Sequence, residues 1–292
     1  GLGDVYKRQK QGRAMSINSG KAIMRDSGNA NKEMLDANGK PIRADRNIKT
    51  GITLNKLKML GAFMLMLGAF SNTVIARMFG GTVTNNMFAL TVILVCEFIS
   101  WTAVPWYAWI LVRGYHNTHN LNLYMLRLLI LAVVCEVPYD LVNSKCLFDM
   151  RSQNPVFAMV ISLFVLSSID TIRERLSGFS KGFAITVLII AGLLWNLIGK
   201  VFVQHGIFFG GVTLLIFVLL FELLKKREIT MEMTAGMFGA MSMLTPGIGV
   251  AVLHYRSPYG DGPKNSTTFR CVMYAWYPLM LIIASVFAVY IH

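Results

Sequence analysis

From Leu57 to Ile291 the chain alternates apolar runs with short connectors rich in basic residues, glycine and proline. The runs cover Leu57–Phe79, Asn85–Val112, Leu121–Val142, Pro155–Asp170, Phe183–Gly199, Ile207–Leu224, Met233–Leu253 and Cys271–Ile291. A bilayer core takes about 20 apolar residues per helix, and inside it every backbone amide must be satisfied within its own segment. The pattern therefore predicts an all-α, polytopic membrane helix bundle of about eight transmembrane helices. Pro105 should kink or divide the second run, because it removes a helical donor. Thr245-Pro246-Gly247 interrupts the seventh.

Composition agrees with a lipid solvent. The chain is 54% hydrophobic and 15% charged, with 18 Met and 18 Phe in 292 residues, and its mean hydropathy is +0.53. A water-soluble domain of this size carries more charge. The cysteines at 96, 135, 146 and 271 form no Cys-x-x-Cys pair, so they read as small hydrophobes rather than a metal knuckle or a disulfide framework.

Charge is concentrated at the front. Residues 1–58 hold 13 Lys/Arg against 5 Asp/Glu, a net of +8, in a Gly/Asn/Lys-rich stretch almost without aromatics. Residues 1–55 thus read as a disordered basic tail and 56–292 as the membrane domain. Asp4-Val5-Tyr6-Lys7-Arg8-Gln9 looks like translated sequencing adapter, so residues 1–9 are set aside, with Met15, Met24 or Met34 as candidate starts. No apolar h-region of a signal peptide follows the early basic residues. The tail has no stacking aromatics and no binding-fold signature, so nucleic acid is not an expected partner; the lipid bilayer is.

Lysine and arginine in short loops set orientation. With the tail inside, inner loops hold Arg113, then Arg173, Arg175 and Lys181, then Lys225, Lys226 and Arg227; outer loops hold Lys145 and Arg151, then Lys200. This predicts a multi-pass membrane protein with a cytoplasmic N-terminus. In an eight-span topology the loop from His254 to Arg270 falls outside and breaks the trend with Arg256, Lys264 and Arg270.

Charges at membrane depth are costly and are usually paired or functional. Glu97 sits in the second run, Arg127 early in the third, and Glu136 and Asp140 near the third run's other end, with i, i+4 spacing that puts both carboxylates on one helix face. Arg127 and Glu136 are nine positions apart, about 13 Å of rise, too far to pair along one helix. Glu97 is a candidate partner for Arg127, and such a pair is either a structural brace or part of a polar path. Glu136 and Asp140 are candidate proton acceptors lining a polar cavity. His116 and His119 share the connector Arg113 to Asn120; His116 is a candidate base or an ordinary interfacial residue, and no metal site is indicated.

The segment from Trp106 to Ser162 carries a resemblance. Gly114-Tyr115 with Thr118-His119-Asn120, then Tyr124 to Leu129, then Cys135-Glu136-Val137-Pro138-Tyr139-Asp140-Leu141, then Gln153-Asn154-Pro155-Val156-Phe157 resemble the core of the TraX family of membrane proteins. Gly51-Ile52-Thr53 to Leu57-Lys58 and the terminal Tyr274-Ala275-Trp276-Tyr277-Pro278-Leu279 are similar to that family's two ends, so the resemblance spans about residues 50–291. It implies a multi-pass bacterial inner-membrane protein named for conjugative transfer and associated with N-terminal acetylation of a pilus subunit. The implied chemistry is acetyl transfer from acetyl-CoA to an amine or a hydroxyl, with pilin, another membrane protein or a polysaccharide as acceptor. On that reading Glu136 or Asp140 is the base, with His116 as a replacement. Arg127 or Tyr124 stabilises the oxyanion, and Asn154 orients the acceptor, with Glu97 and Tyr277 as further substrate contacts.

The chain also departs from that family. Gly68 and Ala69 stand where its first helix usually holds an Asp-His pair, Arg113 replaces an acidic residue, and Met280 replaces a histidine after the terminal Tyr-Pro-Leu. A non-catalytic relative that binds a partner or substrate is therefore the alternative. A small transporter ranks behind it, because no paired broken helices in related halves are visible.

Overall fold

The computed structural model describes residues 23–25, 33–35, 51–75, 78, 86–204, 208–256 and 267–290. It falls into two units, Gly1–Thr50 and Gly51–His292. Most of the predicted tail, including its adapter-like start, lies outside the described residues, as do His205, Lys264 and Gly80-Gly81. Within the first unit β1 (Ile23–Arg25) and β2 (Glu33–Leu35) pair antiparallel, Met24 opposite Met34.

The second unit is helical. α1 (Leu54–Phe70) starts at Thr53, whose side chain accepts from the Lys56 N–H, and runs on into one π-helical stretch, Ser71–Ile75. α2 (Met87–Ser100) is capped by Asn86 and is followed, after Trp101-Thr102, by α3 (Ala103–Asn117). Pro105 explains the break between them, because it cannot donate to the carbonyl of Trp101, which instead accepts from the Val104 N–H at 3.1 Å. α4 (Leu121–Ser144) is capped by Asn120 and α5 (Pro155–Arg175) by Asn154, with proline at its first position. α6 (Gly178–Ile198) and α7 (Gly210–Leu223) flank a small ladder of β3 (Val203–Gln204) and β4 (Phe208–Phe209). α8 (Glu228–Met243), α9 (Thr245–His254) and α10 (Thr267–Tyr290) complete the unit.

Five segments are long and apolar enough to cross a membrane: Leu54–Ile75, Met87–Asn117, Pro155–Arg175, Gly178–Ile198 and Cys271–Val289. α4 is 24 residues long but carries Arg127, Glu136 and Asp140. The eight-span expectation needs a correction at its seventh run. α8 and α9 are not one helix: the chain reverses at Leu244 (φ 62°), and α9 returns along α8. The return is close, since a Cβ on Gly239 would sit 2.6 Å from the Gly247 amide nitrogen and one on Gly247 2.8 Å from that of Ala240. The end of α9 meets the start of α8, where His254 Nδ1 lies 2.8 Å from Glu232 Oε2, and Arg256 pairs with Glu228 and, at 2.8 Å, with Glu232. The run is therefore a hairpin that enters and leaves at one face. Its sixteen- and ten-residue arms rise about 24 and 15 Å, both short of the roughly 30 Å of a bilayer's hydrocarbon core.

This hairpin resolves the charge anomaly. The Ile52 N–H donates to the Tyr255 carbonyl at 2.9 Å, which puts Tyr255 and Arg256 beside the entry to α1. The Arg256 guanidinium also lies 4.3 Å from the Trp109 ring centroid on α3, and His116, at the end of α3, meets Glu222 of α7. The basic connectors thus gather on one face, called here the tail-side face. α10 then runs alongside α1 in the same direction, with Trp276 Nε1 donating to the Ala62 carbonyl and Phe287 packing 6.4 Å from Phe70. Its end therefore lies at the far face. A topology reporter fused after His292 is expected to read opposite to the same reporter placed ahead of Ile52, whereas eight straight spans would make the two agree.

On the far side, irregular backbone lies at membrane depth but is covered by protein, as a bilayer requires. The Gln153 N–H donates to the Lys200 carbonyl and the Phe202 N–H to the Gln153 carbonyl, joining the α4–α5 and α6–α7 connections. Trp101 stacks on Phe208 at 4.3 Å and its Nε1 donates to Gln204. Beneath these loops α3, α5 and α7 form the core around Trp106, Leu111, Leu163, Phe217 and Phe221. α6 buries only Gly192 and Asn196, so most of its circumference is left uncovered by the rest of the described chain.

Candidate functional site

A cavity of about 620 Å³ lies between α1, α3, α4, the start of α5 and α10. It exists because small residues let tyrosines and serines approach the helices that bound it. A Cβ on Gly68 would sit 2.9 Å from Ser100 Oγ, and one on Gly114 2.9 Å from the Tyr124 hydroxyl. At the tail-side end the wall carries Lys58, Arg113, Asn117, Asn120 and Arg127. The Tyr124 hydroxyl lies beside Gly114 near that end, and the middle is aromatic and small, with Tyr107, Tyr277, Gly68 and Ala69. The far end carries Tyr139, Asn143 and Gln204. Among the described lining residues there is no carboxylate, histidine or cysteine.

Of the residues singled out from sequence, Arg127, Tyr124 and Tyr277 line this cavity. Arg127 is exposed and makes no ion pair among the described residues, so its expected pairing with Glu97 does not form. Glu97 is instead 1% exposed on α2. The reason is depth: Glu97 lies one turn before the α2–α3 break, toward the far side, whereas Arg127 lies two turns into α4 from the tail-side face.

Glu136, Asp140, Asn154, Glu97 and His116 are not among the described residues that line the cavity. Glu136 and Asn154 meet each other: the Asn154 Nδ2 donates to Glu136 Oε2 at 2.5 Å and to the Ala132 carbonyl at 2.8 Å, and the Asn154 N–H donates to the same carboxylate at 3.2 Å. The Asn154 Oδ1 caps α5 by accepting from the Val156 N–H at 2.9 Å. One buried side chain thereby ties the start of α5 to the middle of α4. Replacing it with alanine removes the cap and leaves buried acceptors unpaired, a loss of about 2–4 kcal/mol. Asn154→Asp keeps the cap but sets a second carboxylate against Glu136. Both variants are expected to melt lower than the parent in detergent, with Asn154→Asp recovering at acid pH.

Asp140 holds the next connector. Its Oδ2 accepts the Asp149 N–H at 2.9 Å, and the Asp149 carboxylate accepts the Arg151 N–H at 3.0 Å, a bond that lowers the Asp149 pKa below the usual range. The i, i+4 pair therefore shares a helix face, as its spacing requires, and spends both carboxylates on the α4–α5 connection. His116 belongs to a third group on the tail-side face. Its Nε2 lies 2.6 Å from Glu222 Oε2, Lys225 Nζ bonds Glu222 Oε1 at 2.6 Å, and the neighbouring Tyr115 hydroxyl donates to Asp170 at 2.6 Å. These contacts clamp the ends of α3, α5 and α7.

Sequence reasoning missed Lys58, Arg113, Tyr107, Tyr139 and Asn143. Lys58 and Arg113 read as orientation charges because they flank runs. The available signal was the set of tyrosines placed within apolar segments, where a hydroxyl needs a partner or a polar space.

The sequence profile of a family described as TraX protein matches residues 53–288. No curated protein and no solved structure matches the chain.

Proposed function

Because this chain belongs to the TraX family of membrane proteins, we propose that it transfers an acetyl group from acetyl-CoA to a primary amine, the N-terminus of a pilus-type subunit being the model acceptor. The observation that carries the reading is the cavity's polarity: cations at one end, tyrosine hydroxyls in the middle and neutral polar groups at the other end. Lys58, Arg113 and Arg127 suit the phosphates of the donor. From Lys58 to Gly68 is ten positions, about 15 Å along α1, so an extended acyl arm held at the basic end reaches the tyrosine-lined middle. There Tyr107 and Tyr277 can donate to the carbonyl oxygen as it gains charge. By the lysine and arginine bias, the tail-side face is cytoplasmic, where the donor is found.

Among the described lining residues there is no carboxylate or histidine to act as a base, and this shapes the choice of acceptor. An α-amino group has a pKa of about 7.7–8.0, so near neutrality a useful fraction already carries a free lone pair, whereas a hydroxyl must lose its proton during attack. Amine acylation is thus the chemistry compatible with Gly68 and Ala69. The test is purified protein with labelled acetyl-CoA and a peptide bearing a free N-terminus. Transfer should rise with pH up to about 8 and then level off. Arg127→Ala should weaken donor binding about tenfold, as expected for one lost charge-assisted contact. A second reading, binding without transfer, is favoured by the same Gly68 and Ala69; saturable acetyl-CoA binding with no labelled peptide at any pH would select it.

A further inference from the structure

The cavity follows α4 for nearly its whole length. Its lining takes in Asn120, Tyr124, Arg127, Leu131, Tyr139 and Asn143, and 23 positions of helix amount to about 35 Å, against about 30 Å for a bilayer's hydrocarbon core. Asn120 belongs to the tail-side face, where α3 ends and α4 begins. Gln204, which also lines the cavity, belongs to the far-side loops that join α4–α5 to α6–α7. The charges are not symmetric along this path: Lys58, Arg113 and Arg127 lie toward the tail side, and the far end offers amide and hydroxyl groups.

We propose that the cavity carries the acetyl group across the membrane, so that donor and acceptor work from opposite faces; this rests on the transfer reading above. The phosphates of the donor stay at the basic end while the thioester reaches the middle. The acceptor amine enters past Asn143 and Gln204. Its nitrogen attacks the thioester carbonyl, the carbon–sulfur bond breaks as the carbon–nitrogen bond forms, and the nitrogen's proton neutralises the departing thiolate. The products are an N-acetylated chain at the far face and a free CoA thiol at the tail-side face, with no oxidant or reductant involved. The substrate class that follows is a primary amine presented on the far side of the membrane, and a cationic ammonium would be turned away from the end that holds the arginines.

The experiment uses proteoliposomes of the full chain with labelled acetyl-CoA added outside, one amine-bearing peptide trapped in the lumen and a second peptide of different mass outside. Label in the lumenal peptide at ten times the level of protein-free liposomes or more is expected, with little in the external one. Label confined to the external peptide would overturn the crossing and leave the transfer reading standing. Label in neither would overturn both. Leu131→Trp, which fills the middle of the path, should abolish lumenal labelling while acetyl-CoA binding at the basic end persists; undiminished lumenal labelling in this variant would place the route elsewhere and overturn the proposal.

Discussion

Gly68→Asp combined with Ala69→His is expected to raise acetyl transfer, by about 10²–10⁴-fold for a hydroxyl acceptor, the usual contribution of a positioned general base. Both positions face the cavity, and both stand where the resemblance places an Asp-His pair. The hydroxyl gains most because it has no lone pair to offer until its proton is taken; an amine gains less. Space is the obstacle, since a Cβ at residue 68 would meet Ser100 Oγ at 2.9 Å. Ser100→Ala removes that oxygen and leaves the Ser100 Cβ at 3.2 Å, a smaller overlap that the helices can absorb at a cost of about 1–3 kcal/mol. Rates for serine-bearing and amine-bearing peptides in the triple variant and in Ser100→Ala alone separate the base from the packing change. Equal rates in the two proteins would show that these positions do not support proton transfer.

Arg256→Met is expected to be the most destabilising single change outside the cavity. The side chain is 6% exposed, pairs with Glu228 and Glu232, donates to the Leu253 carbonyl at 3.0 Å and stacks on Trp109. Removing one partner of such a buried cluster costs about 3–5 kcal/mol, because both carboxylates lose the guanidinium they share. Arg256→Lys should recover only part of this, since an ammonium cannot hold two carboxylates and a ring face with one planar fork. Arg256→Met with Glu228→Gln and Glu232→Gln should melt well above Arg256→Met alone, since the two charges that the guanidinium offset are then gone as well. Thermal unfolding of the four proteins in one detergent gives the order. If the triple variant melts no higher than Arg256→Met, the stability lies in the arginine's packing rather than in its charge.

Much of the bundle was legible in the alternation of apolar runs and basic connectors, because a helix of about 20 apolar residues has few other uses. The hairpin of α8 and α9 was not. Met233 to Leu253 has the length and hydropathy of a span, and what divides it is a reversal that needs Gly239, Gly247 and Pro246 to lie against one another. One clue was present: Arg256, Lys264 and Arg270 broke the charge bias of the loops. The site was legible only in part. Spacing correctly put Glu136 and Asp140 on one face of α4, but it cannot show that the Asn154 side chain and the Asp149 amide take up their oxygens. Those partners are 18 and 9 residues away, and they arrive only once the connection between α4 and α5 has folded back.

A helical arm pair that enters and leaves at one face cannot leave the insertion machinery as two ordinary anchors. It is held by Arg256 against Trp109 and Ile52, groups that precede it in the chain by well over a hundred residues. During biogenesis those docking points are therefore synthesised and inserted first, and the wedge closes the assembly afterwards. Pulse-labelled chains should accordingly acquire protease resistance at residues 228–256 later than at α1 and α3.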